Sequence, residues 1–512
     1  MQRYVLISLA LLLIMFQINA QTFDIKNFGA IGDGKTLNTE AVQKAVDTCN
    51  QDGGGTVVIP TGIFIIGTVY LKSNVHLLLE PGSILRGSPN LSDYAPFNAV
   101  HYGMLYAQNA ENISITGFGN IDGNGDHFFD LTKAKKIEWN GTQYTRQKGN
   151  FRKVIDGGIG DGPVVPKERP YQMFIFSNCK RVTMKDITIT KPPFWTILLA
   201  DCDGVNVEGI RLYTNMLAPN ADGIDIASCN NVILSNCDIR SGDDAIAIVG
   251  YDHHFEIPGF SHLRHPSGNI TITNCNLQSS SSGIRIGFLD QNNVKNINIS
   301  NCIITNSTRG IGIFLRDQGS LENINISNMI IDTRLRTGDW WGNGEPIHIS
   351  AIRGKDSVKL GTIRNVHFNN IICKGENGIL VYGSPESVIQ DVTFDHVTFD
   401  LVDSKLNNVA GGNIDLRGCS DPKKQLFKRD IPGFLASDVN GLTIQNFTLK
   451  WEKPRMPFFT NGIEINHFEN IHIANFQGTG SPIDPNAYPI FLKDGTNATV
   501  EGKVDCKKVD VH

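Results

Sequence analysis

The sequence lacks an excess of positive charge, and it has no long apolar segment after its first 20 residues. Its 46 lysines and arginines are outnumbered by 51 aspartates and glutamates, which gives a net charge of −5. This balance argues against nucleic acid and anionic membranes as partners, because both attract basic proteins. A membrane-spanning helix needs about 20 consecutive apolar residues, and no later segment reaches that length. We expect neither a nucleic-acid partner nor a membrane partner.

Helical periodicity is also scarce. The one clear amphipathic pattern covers about residues 38–52, where Val42, Val46 and Cys49 share a face and Asn38 is the predicted N-cap. Elsewhere aliphatic and polar residues alternate, as they do in strands with one buried face. The sequence therefore predicts an all-β protein with a short N-terminal helix.

A short strand pattern recurs along the chain in steps of 23 to 50 residues. Short strands at regular spacing, without helices between them, stack in parallel as a solenoid. We expect one β-helix domain over residues 21–512, capped by the helix at about 38–52 and followed by a C-terminal tail at about 480–512. The clearest copies of the pattern begin at Arg181, Gly204, Asn231, Asn269, Asn296 and Asn323.

A second set of short strands predicts a column of polar residues, one from each coil. Parallel neighbours lie about 4.8 Å apart, so these side chains would line one groove. Turn residues exposed to solvent would also explain the pattern, but like charges repel, and turns do not require three neighbouring carboxylates. Paired carboxylates in a groove are typical of enzymes that cut glycosidic bonds. The column comprises Asp222, Asp244, Ser282, Arg309, Glu345 and Asn377, and Asp243 lies beside it.

The first 20 residues and the cysteines bear on the compartment. Met1–Ala20 has a basic residue, an apolar run and a small terminal residue, as in a secretory signal peptide. We expect a secreted or periplasmic protein. Ten cysteines in an exported chain permit disulfides, with pairs possible among Cys373, Cys419 and Cys506. Six of the others occupy equivalent positions in the repeat, which favours ladders of small buried thiols.

Several motifs together resemble glycoside hydrolase family 28, the polygalacturonases and their relatives, over almost all of the chain after residue 20. The resemblance implies a right-handed parallel β-helix, hydrolysis with inversion, and no metal or other cofactor. The matching stretches are Phe28–Ala41, Gly53–Pro60, Leu79–Gly82, Pro193–Ile197, Asn220–Gly223 and Gly242–Ala245.

The aspartates are assigned roles from chemistry and from this resemblance. A carboxyl beside two other carboxylates keeps its proton to higher pH, so Asp243 is the predicted general acid, as the resemblance also implies. Asp222 and Asp244 would share activation of the attacking water, and Gly242 would let the chain bend there. A rung spacing of about 4.8 Å is nearer the carboxyl separation of retaining enzymes, so Asp222 as a nucleophile stays an alternative.

The substrate motifs depart from the family pattern. Family members that act on polygalacturonate carry Gly-His-Gly and Arg-Ile-Lys motifs, where this chain has Ser281–Gly283 and Gly312–Phe314. Arg285 and Arg309 lie nearby, and the planar guanidinium suits a carboxylate. These two arginines would replace the missing cations, although a solvated strand arginine explains each of them equally well. We expect the substrate to be rhamnogalacturonan or a decorated galacturonan.

Other residues are predicted to contact the substrate. Asn220 belongs to an aspartate motif, and Trp340, Trp341 and Glu345 lie in a loop that ends at the groove. The tryptophans would stack on sugar rings or form the packing core of the loop. The histidine-rich insert at 251–267 has no metal-ligand spacing and is predicted to be a polar loop facing the substrate.

The leading hypothesis is an inverting hydrolase that acts on an acidic plant cell-wall polysaccharide, and we expect it to be a monomer. A β-helical polysaccharide lyase is the first alternative, and it would require a calcium-type carboxylate cluster beside an unpaired arginine or lysine base. A non-catalytic glycan-binding solenoid is the second. Three stacked aspartates would suit an anionic ligand poorly in that case.

Overall fold

The computed structural model describes residues 21–135, 158–251, 265–289, 291–407 and 412–512. The predicted signal peptide and His253, His254 and His262 of the histidine-rich insert lie outside these ranges. None of the helices within the described ranges has the length and apolarity needed to cross a bilayer.

The described strands wind into a parallel β-helix with three sheets, here named A, B and C, and each coil adds one strand to each sheet. From Leu321 onward, single long strands run continuously through sheets A and B. Sheet A comprises Thr22–Asp24, Gly55–Ile59, Val75–Leu79, Glu111–Gly117, Lys180–Lys185, Asp203–Glu208, Asn230–Ser235, Ser267–Thr273, Val294–Ser300, Leu321–Thr333, Ile363–Gly375, Ile389–Val402, Phe434–Glu452, Ile463–Ala474 and Ile490–Glu501. Sheet B comprises Asp33–Leu37, Gly62–Ile66, Ser83–Gly87, Asn120–Asp122, Thr188–Thr190, Arg211–Tyr213, Asp238–Ser241, Asn276–Ser279 and Ile303–Ser307, then the later parts of the long strands. Sheet C comprises Val69–Tyr70, Leu105–Gln108, Phe174–Ser177, Ile197–Ala200, Ile224–Ala227, Ile246–Val249, Ser282–Phe288, Arg309–Leu315, Ile347–Ala351 and Ile379–Tyr382, then the first residues of the strands beginning at Phe434, Ile463 and Ile490, and last the strand Cys506–Val511.

Smaller elements cover the β-helix. Among the described residues, the helices are Thr39–Gln51 and Pro422–Gln425, and the 3-10 turns are Ile25–Phe28, Leu91–Asp93 and Gly125–Phe128. The antiparallel hairpins are Pro96–Phe97 with Val100–His101, Phe129–Ala134 with Val164–Pro166, and Asn413–Asp415 with Leu426–Lys428.

The core is a stack of aliphatic side chains, because every second strand residue points inward and meets its equivalent on the next coil. Ile224, Ile246, Ile284, Ile311 and Ile347 follow one another in register along sheet C, and all are fully buried. This stacking removes aliphatic surface from water on every coil. The parallel β-helix predicted from the repeat is confirmed.

Asparagine ladders explain why the repeats begin with asparagine. Asn269, Asn296 and Asn323 have φ angles of 55°, 59° and 56°, a left-handed conformation that asparagine tolerates better than most residues. Their side-chain amides bond from coil to coil at 3.0 Å. The amide therefore satisfies both the turn conformation and the stacking between coils.

The cysteines follow the predicted ladders. All ten are free and nine are buried. The Cys202 amide donates to the Cys229 sulfur at 3.3 Å, and the Cys275 amide donates to the Cys302 sulfur at 3.5 Å. The pairs considered among Cys373, Cys419 and Cys506 are not formed.

Both ends of the chain refine the sequence prediction. The cap helix is Thr39–Gln51, as expected, but the Asn38 side chain makes no capping bond. It bonds instead to the backbone of Ile31 and Thr36. The segment 480–512 is not a separate tail, because two strands within it, beginning at Ile490 and Cys506, continue the parallel pairing.

Candidate active site

The three aspartates meet in one cavity on the outer side of sheet C. Strand register aligns Asp222 with Asp244 and then with Ser282, which places all three in the predicted column. One carboxylate oxygen each from Asp222, Asp243 and Asp244 lie within 4.8 Å of one another, and all three residues are buried. They line a cavity of about 190 Å³. The structure therefore brings the predicted catalytic residues together.

Asp243 reaches the cavity because the chain at Gly242 passes very close to a neighbouring turn. A Cβ atom on Gly242 would lie 2.3 Å from the Ala218 carbonyl oxygen, so only glycine fits. Backbone amides then hold the Asp243 carboxyl, since Asn220 N–H donates to it at 3.2 Å and Asp244 N–H donates at 3.0 Å. Glycine is needed at this position because there is no space for a side chain. The sequence had suggested a different reason, a bend of the chain.

The two adjacent aspartates have opposite protonation tendencies. Burial, followed by repulsion from Asp244, raises the pKa of Asp243 to about 7. Burial also acts to raise the pKa of Asp244, but its ion pair with Arg285 and the hydrogen bond from Ser282 N–H, 2.9 Å long, hold this pKa below its ordinary value. At neutral pH one carboxyl can therefore donate a proton beside another that can accept one.

Asp222 also holds its proton to a higher pH than an ordinary aspartate does. Burial, and then the charge of Asp243, raise the pKa of Asp222 well above its ordinary value. Its Oδ1 is buried and has no hydrogen-bond partner among the described residues. The described residues therefore leave the hydrogen-bonding capacity of this oxygen unused.

The two arginines predicted to bind the substrate are already paired with carboxylates of the protein. Arg285 lies in the cavity wall but bonds Asp244 through Nε. Arg309 also lines the cavity, and its Nε donates to Glu345 at 2.7 Å. Both guanidiniums are therefore largely neutralised, and we assign them first to positioning Asp244 and the cavity floor.

Glu345 lies outside the cavity that holds the aspartates and lines a separate small space together with His348. Burial opposes its ionisation, but Arg309 and a bond to His348, 3.0 Å long, hold its pKa below the ordinary value. Glu345 orients Arg309 and has no route to a bound sugar in this geometry. The predicted substrate contact is replaced by a structural ion pair.

Arg316 differs from the other cavity arginines. Its guanidinium donates to the carbonyls of Leu315 and Ser350 and to the Ser350 hydroxyl at 2.9–3.1 Å. Within the described ranges no carboxylate is hydrogen-bonded to it, and its Nε has no partner. Burial lowers the pKa of Arg316 to about 10, so it still carries its charge at neutral pH.

The two tryptophans have different environments. Trp341 lines the cavity, where Arg417 lies over its ring at 4.3 Å. Trp340 is 1% exposed, and its indole N–H donates to the Asp161 carbonyl at 3.0 Å. Trp341 is placed to contact a sugar, whereas Trp340 packs in the interior. Asn220 lines the cavity next to Asp243.

Sequence reasoning missed residues that come from outside the repeat. Asp415 and Arg417 line the cavity from the hairpin at 413–428, where no strand pattern marks them. Arg169 lies near Asp222 and Asp243, and donates to the carbonyls of Pro193 and Pro219 at 3.0 and 3.1 Å. Only its position before the Pro193–Ile197 motif could have suggested it.

Comparison with known proteins agrees with this geometry. Residues 49–334, which include all three aspartates, match the sequence profile of glycosyl hydrolases family 28. The chain belongs to this family. The resemblance seen in the motifs is confirmed over more than half of the chain.

Individual relatives of this family 28 protein are distant. An exo-poly-alpha-D-galacturonosidase of Dickeya chrysanthemi is 28% identical over 312 residues, covering 54% of this chain and 50% of the relative. A probable polygalacturonase of Vitis vinifera is 26% identical over 253 residues, covering 46% of each protein. The chain thus spans about half the length of these curated relatives.

Solved structures share the fold. A family 28 exopolygalacturonase of Yersinia enterocolitica superposes with a TM-score of 0.62 at 20% identity, over 91% of this chain and 79% of that one. An exopolygalacturonase of Thermotoga maritima gives 0.52 at 18% identity, over 91% and 94%. At this identity the likeness establishes the β-helix architecture alone.

Proposed function

We propose that this protein hydrolyses α-glycosidic bonds in a galacturonic-acid-containing pectic polysaccharide, with inversion at the anomeric carbon. The observation that carries the proposal is the buried triad of Asp222, Asp243 and Asp244, in which one carboxyl is raised to a pKa of about 7 and its neighbour is held ionised. Membership of family 28 supports the reaction class. We further propose that the protein is exported and acts as a monomer.

The residues divide the reaction between them. Asp243 transfers its proton to the glycosidic oxygen as the bond to the anomeric carbon breaks. A water molecule adds to that carbon from the opposite face, and its proton passes to Asp244. Asp222 offers its unpartnered oxygen to position this water. Arg285 stabilises Asp244 as an anion until the proton arrives.

The main alternative has Asp222 as a nucleophile. The short separation of the carboxylate oxygens favours it, because retaining enzymes hold their carboxyls closer together than inverting ones. The raised pKa of Asp222 opposes it, since a protonated carboxyl is a poor nucleophile. The configuration of the product distinguishes the two routes.

Arg316 supports a substrate that carries carboxylates. A buried guanidinium without a bonded carboxylate is costly, and a uronate entering the cavity would supply the missing negative charge. Asp415 lies close enough to act on Arg316 electrostatically, but Arg417 and the Gly342 amide already bond its oxygens. The lost polygalacturonase motifs support a rhamnogalacturonan or a decorated galacturonan.

A lyase is favoured by one observation, since the three carboxylates lie close enough to ligate a cation. Two features oppose it. The ion pair with Arg285 already neutralises the charge of Asp244, and Asp243 stays protonated up to a pH of about 7.

Proton NMR during hydrolysis tests the reaction class. With α-linked galacturonan and rhamnogalacturonan oligosaccharides, we expect the β-configured reducing end to appear first, because water attacks opposite the leaving group. EDTA should leave the rate unchanged. If the α-configured product appears first, Asp222 acts as a nucleophile. If an unsaturated uronate forms, and EDTA abolishes its formation, the protein is a lyase.

The pH profile tests the assignment of the acid. Asp243 must be protonated to act, so kcat/KM should fall as pH rises through about 7, by about tenfold per unit above it. Asp244 must be ionised to act as the base. Because its pKa lies below the ordinary value of 3.8, its protonation should reduce the rate only below that pH. We expect a broad plateau at acidic pH in initial-rate measurements. A rate that rises above pH 7 would contradict the assignment.

A further inference from the structure

A single column of outward-facing residues on sheet C, here named the floor, runs under the groove, and one of its residues, Arg285, lines the cavity itself. Register places Ala247, Arg285, Gly312, His348 and Leu380 on successive coils. The coils are about 4.8 Å apart, so the floor extends about 14 Å from the rung of the aspartates to the rung of His348. Whether the floor is open or covered beyond His348 determines how long a stretch of polymer can bind along it.

The hairpin at 413–428 covers the floor from His348 onward. Its apolar residues Ile414, Leu416 and Cys419 pack on Ile352, Leu380 and Leu435, which face outward from sheet C and are buried by this contact. Between the hairpin and the floor the remaining cavity is about 20 Å³, lined in part by His348 and Ile414. Such a space holds about one water molecule and no sugar residue.

Buried ion pairs lock this cover in place. Arg417 bonds Asp415 at 2.8 Å and Asp339 at 2.6 Å, and also bonds the Trp340 carbonyl. The Gly342 amide donates to Asp415 at 2.8 Å, and the Asn343 side chain donates to the Asn413 carbonyl at 2.6 Å. Separating buried charged partners is strongly unfavourable. The loop 339–345 and the hairpin 413–428 therefore form one rigid body, here named the end wall.

The end wall faces the catalytic cavity directly. Trp341, Asp415 and Arg417 line the same cavity as the three aspartates. We propose that the groove ends at this wall, so that the enzyme binds one end of a polysaccharide chain and releases a short product of constant length. This inference rests on the proposed hydrolase function and adds its mode of action.

Product analysis tests the proposal on the whole protein. Polygalacturonate and a rhamnogalacturonan polymer are incubated with enzyme, and reducing ends, viscosity and product size are followed together. We expect one short product from the earliest time and a slow loss of viscosity. A ladder of oligosaccharides with a rapid loss of viscosity would overturn the blind groove. No new reducing ends from any polymer would overturn the proposed function, and this inference with it.

Two variants test the role of the end wall. Arg417→Met removes the central cation of the lock, and we expect longer oligosaccharides to join the short product. Arg429→Gln is the matched control, because Arg429 pairs with Glu464 at 3.0 Å outside the cavity, and its products should match the wild type. A folded Arg417→Met enzyme with unchanged products would overturn the wall's role. If that variant fails to fold, the product distribution of the wild-type enzyme alone tests whether the groove ends at the wall.

Discussion

Replacing Asp243 with asparagine is expected to lower kcat by roughly 10²–10⁴-fold, the usual contribution of a general acid. Asparagine keeps the shape of the side chain but has no proton to transfer to the leaving oxygen. The fall of kcat/KM above pH 7 should also disappear in this variant, since burial and Asp244 raise the pKa of Asp243 to about 7. Initial rates on galacturonan and rhamnogalacturonan oligosaccharides from pH 4 to 9 measure both effects.

Stability separates lost chemistry from lost structure in this variant. The pKa of Asp243 is about 7 in the folded protein and near its ordinary 3.8 when unfolded, so the unfolded chain releases its proton first and stability falls as pH rises between these values. Each unit corresponds to about 1.4 kcal/mol. Asp243→Asn should therefore be more stable than wild type at pH 8 and similar to it at pH 4. Asp122→Asn, at a buried aspartate paired with Arg86, is the control that should retain activity. An active Asp243→Asn enzyme would exclude Asp243 as the acid.

Replacing Arg316 with methionine is expected to remove the preference for a charged substrate. Leaving one partner of a buried charge pair alone costs about 2–5 kcal/mol, so kcat/KM on a trigalacturonate should fall by roughly 30-fold to 5,000-fold. The carboxyl-reduced trisaccharide cannot use the guanidinium, and its rate should be the same in both enzymes. Comparison of the two substrates in the two enzymes isolates this interaction.

Arg336→Met is the matched control for this comparison. Arg336 is buried, and its Nε also has no hydrogen-bond partner among the described residues, but it does not line the cavity. Its replacement should leave the ratio of the two rates unchanged. The melting temperature of Arg316→Met should not be lower than that of the wild type, because burial of an unbonded charge opposes folding. An equal loss of rate on both trisaccharides would assign Arg316 to structure alone.

The repetitive parts of the molecule were accessible from the sequence. A strand period of two and a coil repeat predicted the β-helix, and the same alignment put Asp222 and Asp244 on neighbouring rungs. These predictions depend on contacts between equivalent residues of successive coils, which the chain repeats along its length. Burial of the aspartates, and hence the pKa of about 7 at Asp243, follows from where that column lies.

Contacts with inserted loops were not accessible in this way. Arg285, Arg309 and Arg316 look alike in sequence, and the first two find carboxylates at Asp244 and Glu345. Which tryptophan of the adjacent pair reaches the cavity depends on Asp161, which lies 179 residues from Trp340. No periodic pattern relates these positions.

The sequence by itself determined the coil, its polar column and the three carboxylates, because each is a nearest-neighbour property of a stacked repeat. Only the tertiary structure decided which arginine lacks a bonded carboxylate, which tryptophan faces the cavity and where the groove ends. Those features arise where the hairpin at 413–428 and the loop at 339–345 fold back over sheet C. Their positions are set by buried ion pairs between segments far apart in the chain, and such pairing leaves no periodic signal in the sequence.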